Sequence, residues 1–213
     1  MFNFFRYDSP VMTFLTKVAN LIILNALWLL CSLPIVTLGA STVAMYTITL
    51  QIVRNSDNDS IVKSFFAAFR KDFWKSTKLF LAVAALGLVI GANILAAGTM
   101  TGLWRILAYI PPGILLLASG YVFPLFAQFD NTIWQTLKNA CLLSISHIFR
   151  SIIILLLNLI GPVLFLFSAY YFLKTLLFWI LIGVSLISLC NAKLLKSVFD
   201  KYMEMPENTH LDP

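Results

Sequence analysis

The chain has 213 residues, of which 60% are hydrophobic and only 11% are charged, and its mean hydropathy is +0.90. A typical soluble domain is about 45–50% apolar and about 25% charged, so this composition argues against a soluble protein. The net charge is +6, but the basic residues lie between apolar segments and form no stripe with interleaved aromatics. A nucleic-acid partner is therefore not expected, whereas membrane lipid is.

Several segments are apolar and long enough to cross a bilayer. A helix start is predicted at Ser9 and Pro10, because Ser is a preferred cap and Pro is preferred at the first helical position. Four uncharged segments have the roughly 20 residues that a hydrocarbon core of about 30 Å requires, and a fifth is slightly shorter. They are residues 18–36, 79–98, 106–128, 151–173 and 175–192. Their backbone must satisfy its own hydrogen bonds in lipid, which predicts helices.

The segment 39–53 is ambiguous, because it is shorter and carries several hydroxyl and amide side chains. It follows Pro34, which is expected to end the first helix, and begins at Gly39, which permits a tight turn. The segment is compatible with a short spanning helix shielded by its neighbours, with a re-entrant segment or with an interfacial helix. The number of crossings is therefore five or six.

The distribution of Lys and Arg predicts the orientation. Basic residues concentrate in 54–78, in 129–150 and after 192, whereas the links near 100–105 and near Lys174 hold one each. Cytoplasmic segments are enriched in such residues. Six crossings with both termini inside place 13 of the 15 Lys and Arg in the cytoplasm, and we favour this arrangement over five crossings. The expected location is the cell membrane, as a multi-pass protein.

Two segments between the spans predict amphipathic cytoplasmic helices. In 60–74, aromatic residues recur every four positions beside a basic face, which suits contact with a partner or with lipid headgroups. The candidate docking residues there are Phe65, Phe69, Arg70, Lys71, Phe73 and Trp74. The second segment, 130–141, places Ile133, Leu137, Ala140 and Cys141 on one face. Each segment precedes two spans, so either a parallel repeat of about 70 residues or chance similarity explains the order.

No residue pattern predicts catalysis, a cofactor site or a metal site, and we do not expect an enzyme. The two histidines, His147 and His210, are far apart, and the three cysteines lack metal spacing. Asn residues within the spans, such as Asn25, Asn158 and Asn191, are expected to join helices, with a polar ligand lining as the alternative. Prolines at 111, 112, 124 and 162 are expected to bend or break their helices.

The order of segments resembles the YesL-like proteins, small bacterial integral membrane proteins of unknown function. The resemblance rests on Leu33-Pro34, on 37–46 (TLGASTVAMY), on 65–73 (FFAAFRKDF) and on 124–130 (PLFAQFD) with Lys138-Asn139-Ala140. It covers nearly the whole chain. It implies an association with carbohydrate uptake and polysaccharide degradation in Gram-positive bacteria, and it implies no catalytic residues.

Together these observations predict an all-α fold, a polytopic transmembrane helical bundle with five or six spanning helices and two amphipathic cytoplasmic helices. Residues 1–202 form one transmembrane domain, and 203–213 form a short polar tail. The expected function is that of a non-enzymatic accessory or regulatory component linked to carbohydrate uptake, with a carbohydrate transporter or another membrane protein as partner. The alternative is a small permease or channel for a sugar-like solute.

Overall fold

The computed structural model describes residues 10–56, 60–171 and 177–203, and these contain helices and no strand. The predicted all-α fold is confirmed. In chain order the helices are α1 (Pro10–Ser32), α2 (Leu38–Arg54), α3 (Ile61–Lys71), α4 (Phe73–Gly98), α5 (Gly102–Gln128), α6 (Ile133–Ser146), α7 (Ile148–Tyr171) and α8 (Trp179–Met203). The predicted tail begins at the last described residue, so it lies outside this part of the chain.

Six helices are long and apolar enough to cross a membrane, namely α1, α2 with its short lead-in Ile35–Thr37, α4, α5, α7 and α8. The chain is therefore a multi-pass membrane protein. The two remaining helices, α3 with 11 residues and α6 with 14, are too short to cross and correspond to the predicted amphipathic helices. One short helix followed by two long ones occurs twice, as α3–α4–α5 and α6–α7–α8.

The ambiguous segment 39–53 forms α2, which lies at the centre of the bundle. In its most apolar stretch 56% of residues are buried, against 6–33% in the other five long helices. At about 1.5 Å per residue, the 20 residues from Ile35 to Arg54 extend about 30 Å, which is enough to cross. The helix contacts α1, α3, α4, α5 and α8. Its hydroxyl groups are therefore shielded by neighbouring helices, the first of the three alternatives.

Side-chain hydrogen bonds join α1 and α2 into an antiparallel hairpin. The Trp28 indole nitrogen donates to the Thr42 hydroxyl at 3.2 Å, and the hydroxyls of Ser32 and Ser41 lie 2.6 Å apart. Gly39 then lets α2 approach α4, because a Cβ atom there would lie 2.6 Å from the Phe80 Cβ and closer still to the Ser76 carbonyl oxygen. The absence of a side chain at Gly39 thus permits this close packing.

Three long helices end together, at what we call the basic end of the bundle. Arg54 at the end of α2 donates to Gln128 on α5 at 2.9 Å and to the Asp200 carboxylate on α8 at 3.2 Å. On α8, the Lys196 ammonium donates to the Val53 carbonyl oxygen at 3.5 Å. The helices α2, α5 and α8 therefore run in the same direction, and α1 starts at the basic end because it is antiparallel to α2.

The prolines were expected to bend or break their helices, and they do not break them. The helix α5 continues through Pro111, Pro112 and Pro124, and α7 continues through Pro162. Proline is tolerated in membrane helices because neighbouring groups satisfy the freed carbonyls. The irregular helix is instead α8, which opens with a π-helical turn at Trp179–Gly183.

Candidate functional site

The aromatic stripe predicted for docking packs partly inside the protein. The helix α3 is capped by Ser60, whose hydroxyl accepts from the Lys63 amide at 3.4 Å. Phe65 is fully buried in a cluster with residues of α1 and α2, which are Leu24, Ala44, Met45, Ile48 and Ile52. Its ring stacks on Phe69 with centroids 6.2 Å apart, and Phe69 packs against the same cluster. Neither residue offers its main surface to a partner.

The other candidate docking residues lie at or beyond the end of α3. Arg70 and Lys71 are exposed in its last turn. Phe73 and Trp74 belong instead to α4, which begins well before the predicted residue 79. Trp74 is 72% exposed, whereas Phe73 is half-buried. The exposed part of the predicted docking set is therefore Arg70, Lys71 and Trp74, and its role stays a prediction.

A half-open cavity of about 510 Å³ lies between α1, α2, α7 and α8. Its size is within the range of about 300–1,000 Å³ that small-molecule sites occupy. Apolar and aromatic side chains form most of its wall, and the polar contributions come from Trp28, Thr42, Tyr46, Asn158 and Ser188.

These polar groups are already paired with one another or with neighbouring helices. The Asn191 amide donates to Asn158 at 2.8 Å and to the Tyr46 hydroxyl at 3.2 Å. Ser188 lies 3.1 Å from the Thr49 hydroxyl. In the described residues the Asn191 Oδ1 atom is nevertheless buried without a hydrogen-bond partner. These contacts favour helix joining over a polar lining for a sugar, which would need several free donors and acceptors.

Asn25 explains the π-helical turn of α8. Its amide donates to the Ile180 carbonyl at 2.7 Å, and its side-chain oxygen accepts from the Ser185 backbone amide at 2.9 Å. In a π-helix these two backbone groups, five residues apart, would bond each other. The carboxamide of Asn25 thus inserts into the backbone ladder of α8, a recognised cause of helix distortion. Sequence analysis identified Asn25 as a helix-joining residue, but a backbone partner leaves no signal in sequence.

The parts of α4 and α5 that lie away from the basic end, within residues 81–111, contact little of the rest of the bundle. Between residues 81 and 111 only Ala97 is buried. Asn93 lies within this part of α4, its side chain is exposed, and it has no hydrogen bond to other described residues. An exposed amide at membrane depth is unfavourable in lipid, and it forms hydrogen bonds readily with a neighbouring helix.

His147 lies at the junction of α6 and α7, outside the spanning helices. Its Nε2 atom is buried without a hydrogen-bond partner among the described residues. Burial lowers the pKa of this imidazole, and the positive charges of Arg150 and Lys201 lower it further. The described residues contain no cluster of His, Cys, Asp or Glu suited to a metal, and Cys31, Cys141 and Cys190 are free.

Comparison with known proteins identifies relatives of unknown function. A family model described as "Protein of unknown function, DUF624" matches residues 21–94. The chain is similar to "Uncharacterized protein YesL" of Bacillus subtilis (strain 168), with 29% identity over 138 residues, 63% of this chain and 66% of the relative. It is also similar to "Uncharacterized protein YteU" of the same organism, with 27% identity over 185 residues, 83% of this chain and 79% of the relative.

The alignment to YesL thus spans just under two thirds of that protein, and the alignment to YteU spans more. No solved structure matches the chain. The resemblance to the YesL-like proteins expected from the sequence is confirmed.

Proposed function

We propose that this chain, which resembles the YesL-like membrane proteins of unknown function, is a non-enzymatic accessory component. In this proposal it associates with a carbohydrate transporter within the cell membrane. The basic end faces the cytoplasm in this proposal, since Lys and Arg concentrate on that side of membrane proteins. Both termini are then cytoplasmic.

The observation that carries the proposal is the exposed Asn93 on α4, a helix that is mostly exposed in the structure. Only 6% of the most apolar stretch of α4 is buried, so most of this helix is available to other membrane components. A partner helix that hydrogen-bonds the Asn93 amide gains about 0.6–2 kcal/mol from that contact. The exposed Arg70 and Trp74 lie beside the start of α4, at the basic end, and provide a second candidate contact for the partner on the cytoplasmic side.

Site-specific photo-crosslinking tests this association. A photoreactive amino acid replaces Asn93 in the full chain expressed in its own host, and the matched control replaces Leu30, which is 66% exposed on α1. We expect a crosslink from position 93, and not from position 30, to a membrane subunit of a carbohydrate transporter. Equal crosslinking from both positions, or a crosslink only to lipid, would contradict the proposal.

A second candidate function, a permease or channel for a sugar-like solute, is supported by the cavity of about 510 Å³. Its mostly apolar wall and its paired amides make it the weaker candidate. Purified protein in liposomes, tested with a panel of labelled oligosaccharides, distinguishes the two. Flux above empty vesicles that is lost in Asn158→Leu would establish transport and displace the accessory function.

A further inference from the structure

A basic groove lies between α2 and α3, outside the intramembrane cavity. It has a volume of about 580 Å³ and is lined by Thr47 and Gln51 from α2 and by Lys63, Ser64, Ala67, Ala68 and Lys71 from α3. Lys63, Ala67 and Lys71 follow one another at intervals of four residues, so they share one side of the helix. The small side chains of Ala67 and Ala68 form the floor between the two lysines.

The position of α3 is fixed by its own core residues. Ile61 is buried and Phe65 is fully buried against α1 and α2, which prevents the helix from rotating about its axis. The groove is therefore a lasting feature of the fold, with Lys63 near the start of α3 and Lys71 at its end.

Both lysines are available to an anion. Among the described residues Lys63 has no ion pair, and Lys71 has only a contact of 3.6 Å with Asp130 in which both side chains are mostly exposed. Exposed pairs of this kind contribute little and are screened by salt. The Gln51 carboxamide is half-buried beside the lysines and has no hydrogen bond to other described residues. The groove thus presents two cations and a free amide donor.

The other side of α3 indicates where such an anion comes from. Val62 is 43% exposed and Phe66 is 37% exposed, so apolar surface lies on the opposite flank from the groove. A helix with exposed apolar residues on one flank and lysines on the other suits the boundary between acyl chains and headgroups. At that depth the abundant anion is the phosphodiester of a lipid, and basic pockets beside membrane helices bind such headgroups.

We propose that the groove between α2 and α3 binds the headgroup of an anionic phospholipid, with Lys63 and Lys71 on the phosphate and Gln51 donating to a phosphate oxygen. Ala67 and Ala68 leave the space that the headgroup occupies. Of the predicted docking residues this site uses Lys71 alone. It does not include Asn93 and does not depend on the carbohydrate link.

Thermal unfolding of the detergent-purified full chain measures binding, because a ligand of the folded state raises Tm. We expect short-chain phosphatidylglycerol to raise Tm, and phosphatidylcholine or inorganic phosphate at the same concentration to leave it unchanged. In the Lys63→Gln/Lys71→Gln variant, we expect the apparent affinity for phosphatidylglycerol to fall about 25-fold, which is about fivefold for each lysine. The matched control, Lys138→Gln/Lys193→Gln, removes two exposed lysines outside the groove and is expected to retain the affinity.

A second variant fills the groove and keeps both charges. Ala67 is exposed, so Ala67→Leu is expected to fold normally and to lose the effect of phosphatidylglycerol. Three results would overturn the proposal. The first is an equal loss of phosphatidylglycerol affinity in the control variant, which would indicate a nonspecific effect of charge. The second is an equal rise in Tm with inorganic phosphate, which would indicate a site for free anions. The third is retained phosphatidylglycerol affinity in Ala67→Leu.

Discussion

At the residue scale, the asparagines of the long helices have different surroundings. Asn25 is fully buried and holds two backbone groups of α8, whereas Asn93 on α4 is exposed. The sequence does not distinguish these two residues, since both carry an amide side chain within an apolar segment. Their surroundings assign Asn25 to the internal architecture and Asn93 to the surface, because of the two only Asn25 has hydrogen-bond partners among the described residues.

Replacing Asn25 with Leu is expected to destabilise the folded protein. The change leaves the Ile180 carbonyl and the Ser185 amide without the side-chain bonds that they have now. We expect a loss of about 1–3 kcal/mol in the free energy of unfolding. Unfolding by increasing SDS in mixed micelles measures it. The matched control is Asn93→Leu, which we expect to change stability by less than about 0.5 kcal/mol. Equal losses in both variants would refute the assigned role of Asn25.

Two glycines provide a similarly matched pair. A Cβ atom at Gly39 would lie 2.6 Å from the Phe80 Cβ, whereas at Gly87 nothing lies within 4 Å. Gly39→Ala is therefore expected to cost about 1–3 kcal/mol through overpacking. In contrast, Gly87→Ala is expected to be neutral or to stabilise by about 0.5–1 kcal/mol, because Ala is the better helix former. The same micelle unfolding experiment compares them, and a neutral Gly39→Ala would show that α2 and α4 do not pack this closely.

At the element scale, the hydrophobic length of a segment predicts a spanning helix well and predicts its surroundings poorly. The segment 39–53 looked least like a spanning helix, yet it forms the most buried of the six. Its polar side chains are compatible with that position because Thr49 bonds its own helix and contacts Ser188. A central helix has protein on all sides, so it needs less apolar surface than a lipid-facing one. Whether a segment is central depends on the helices that pack around it, so the sequence of the segment alone does not predict it.

The same limit applies to α3. Its aromatic spacing correctly predicts an amphipathic helix, but periodicity does not say whether the aromatic face meets lipid, a partner or the bundle itself. The chain turns at Asp72, so Phe73 starts the next helix although it continues the spacing. Of the groove lysines, Lys71 is predicted from the sequence as a docking residue and Lys63 is not. The groove itself is not predicted, because Gln51 and Thr47 come from a different helix.

Two substitutions compare a core residue of α3 with a surface residue of α4. Phe65→Ala is expected to cost about 3–5 kcal/mol in unfolding free energy, because it leaves a cavity at a fully buried site. Trp74→Ala, at a residue 72% exposed, is expected to change stability by less than about 0.5 kcal/mol. Denaturation of both purified variants, followed by intrinsic fluorescence and circular dichroism, gives the comparison. A stable Phe65→Ala variant would mean that α3 does not pack on α1 and α2 as described.

The junction between α6 and α7 is expected to respond to pH. Since burial and nearby positive charges lower the pKa of His147 in the folded state, the unfolded chain takes up a proton at higher pH than the folded chain does. Stability should therefore fall as the pH drops below the ordinary histidine pKa of about 6.5. Measuring Tm between pH 7.5 and 5.5 tests this. The decrease should be smaller in His147→Gln, and a decrease that shrinks instead in His210→Gln would contradict the assignment.

At the scale of the whole molecule, the contacts of Arg54 fix the direction of half of the spanning helices. They hold the ends of α2, α5 and α8 together, so these three helices run one way. The intervening helices α4 and α7 then return, and α1 does so through its hairpin with α2. The basic segments of the sequence consequently meet at one end of the bundle. This agrees with the alternation counted from Lys and Arg.

Labelling of single cysteines tests the six-crossing arrangement in cells. In a background without Cys31, Cys141 and Cys190, cysteines are placed at two of the links of the opposite end, Val36 and Met100, and at the basic end, Asn55 and Asn131. We expect a membrane-impermeant maleimide to label positions 36 and 100 in intact cells, and positions 55 and 131 only after permeabilisation. Because α2 alone separates positions 36 and 55, labelling of both from the same side would show that α2 does not cross the membrane. The reverse pattern at all four positions would retain six crossings and place the basic end outside, against the direction that the Lys and Arg distribution predicts.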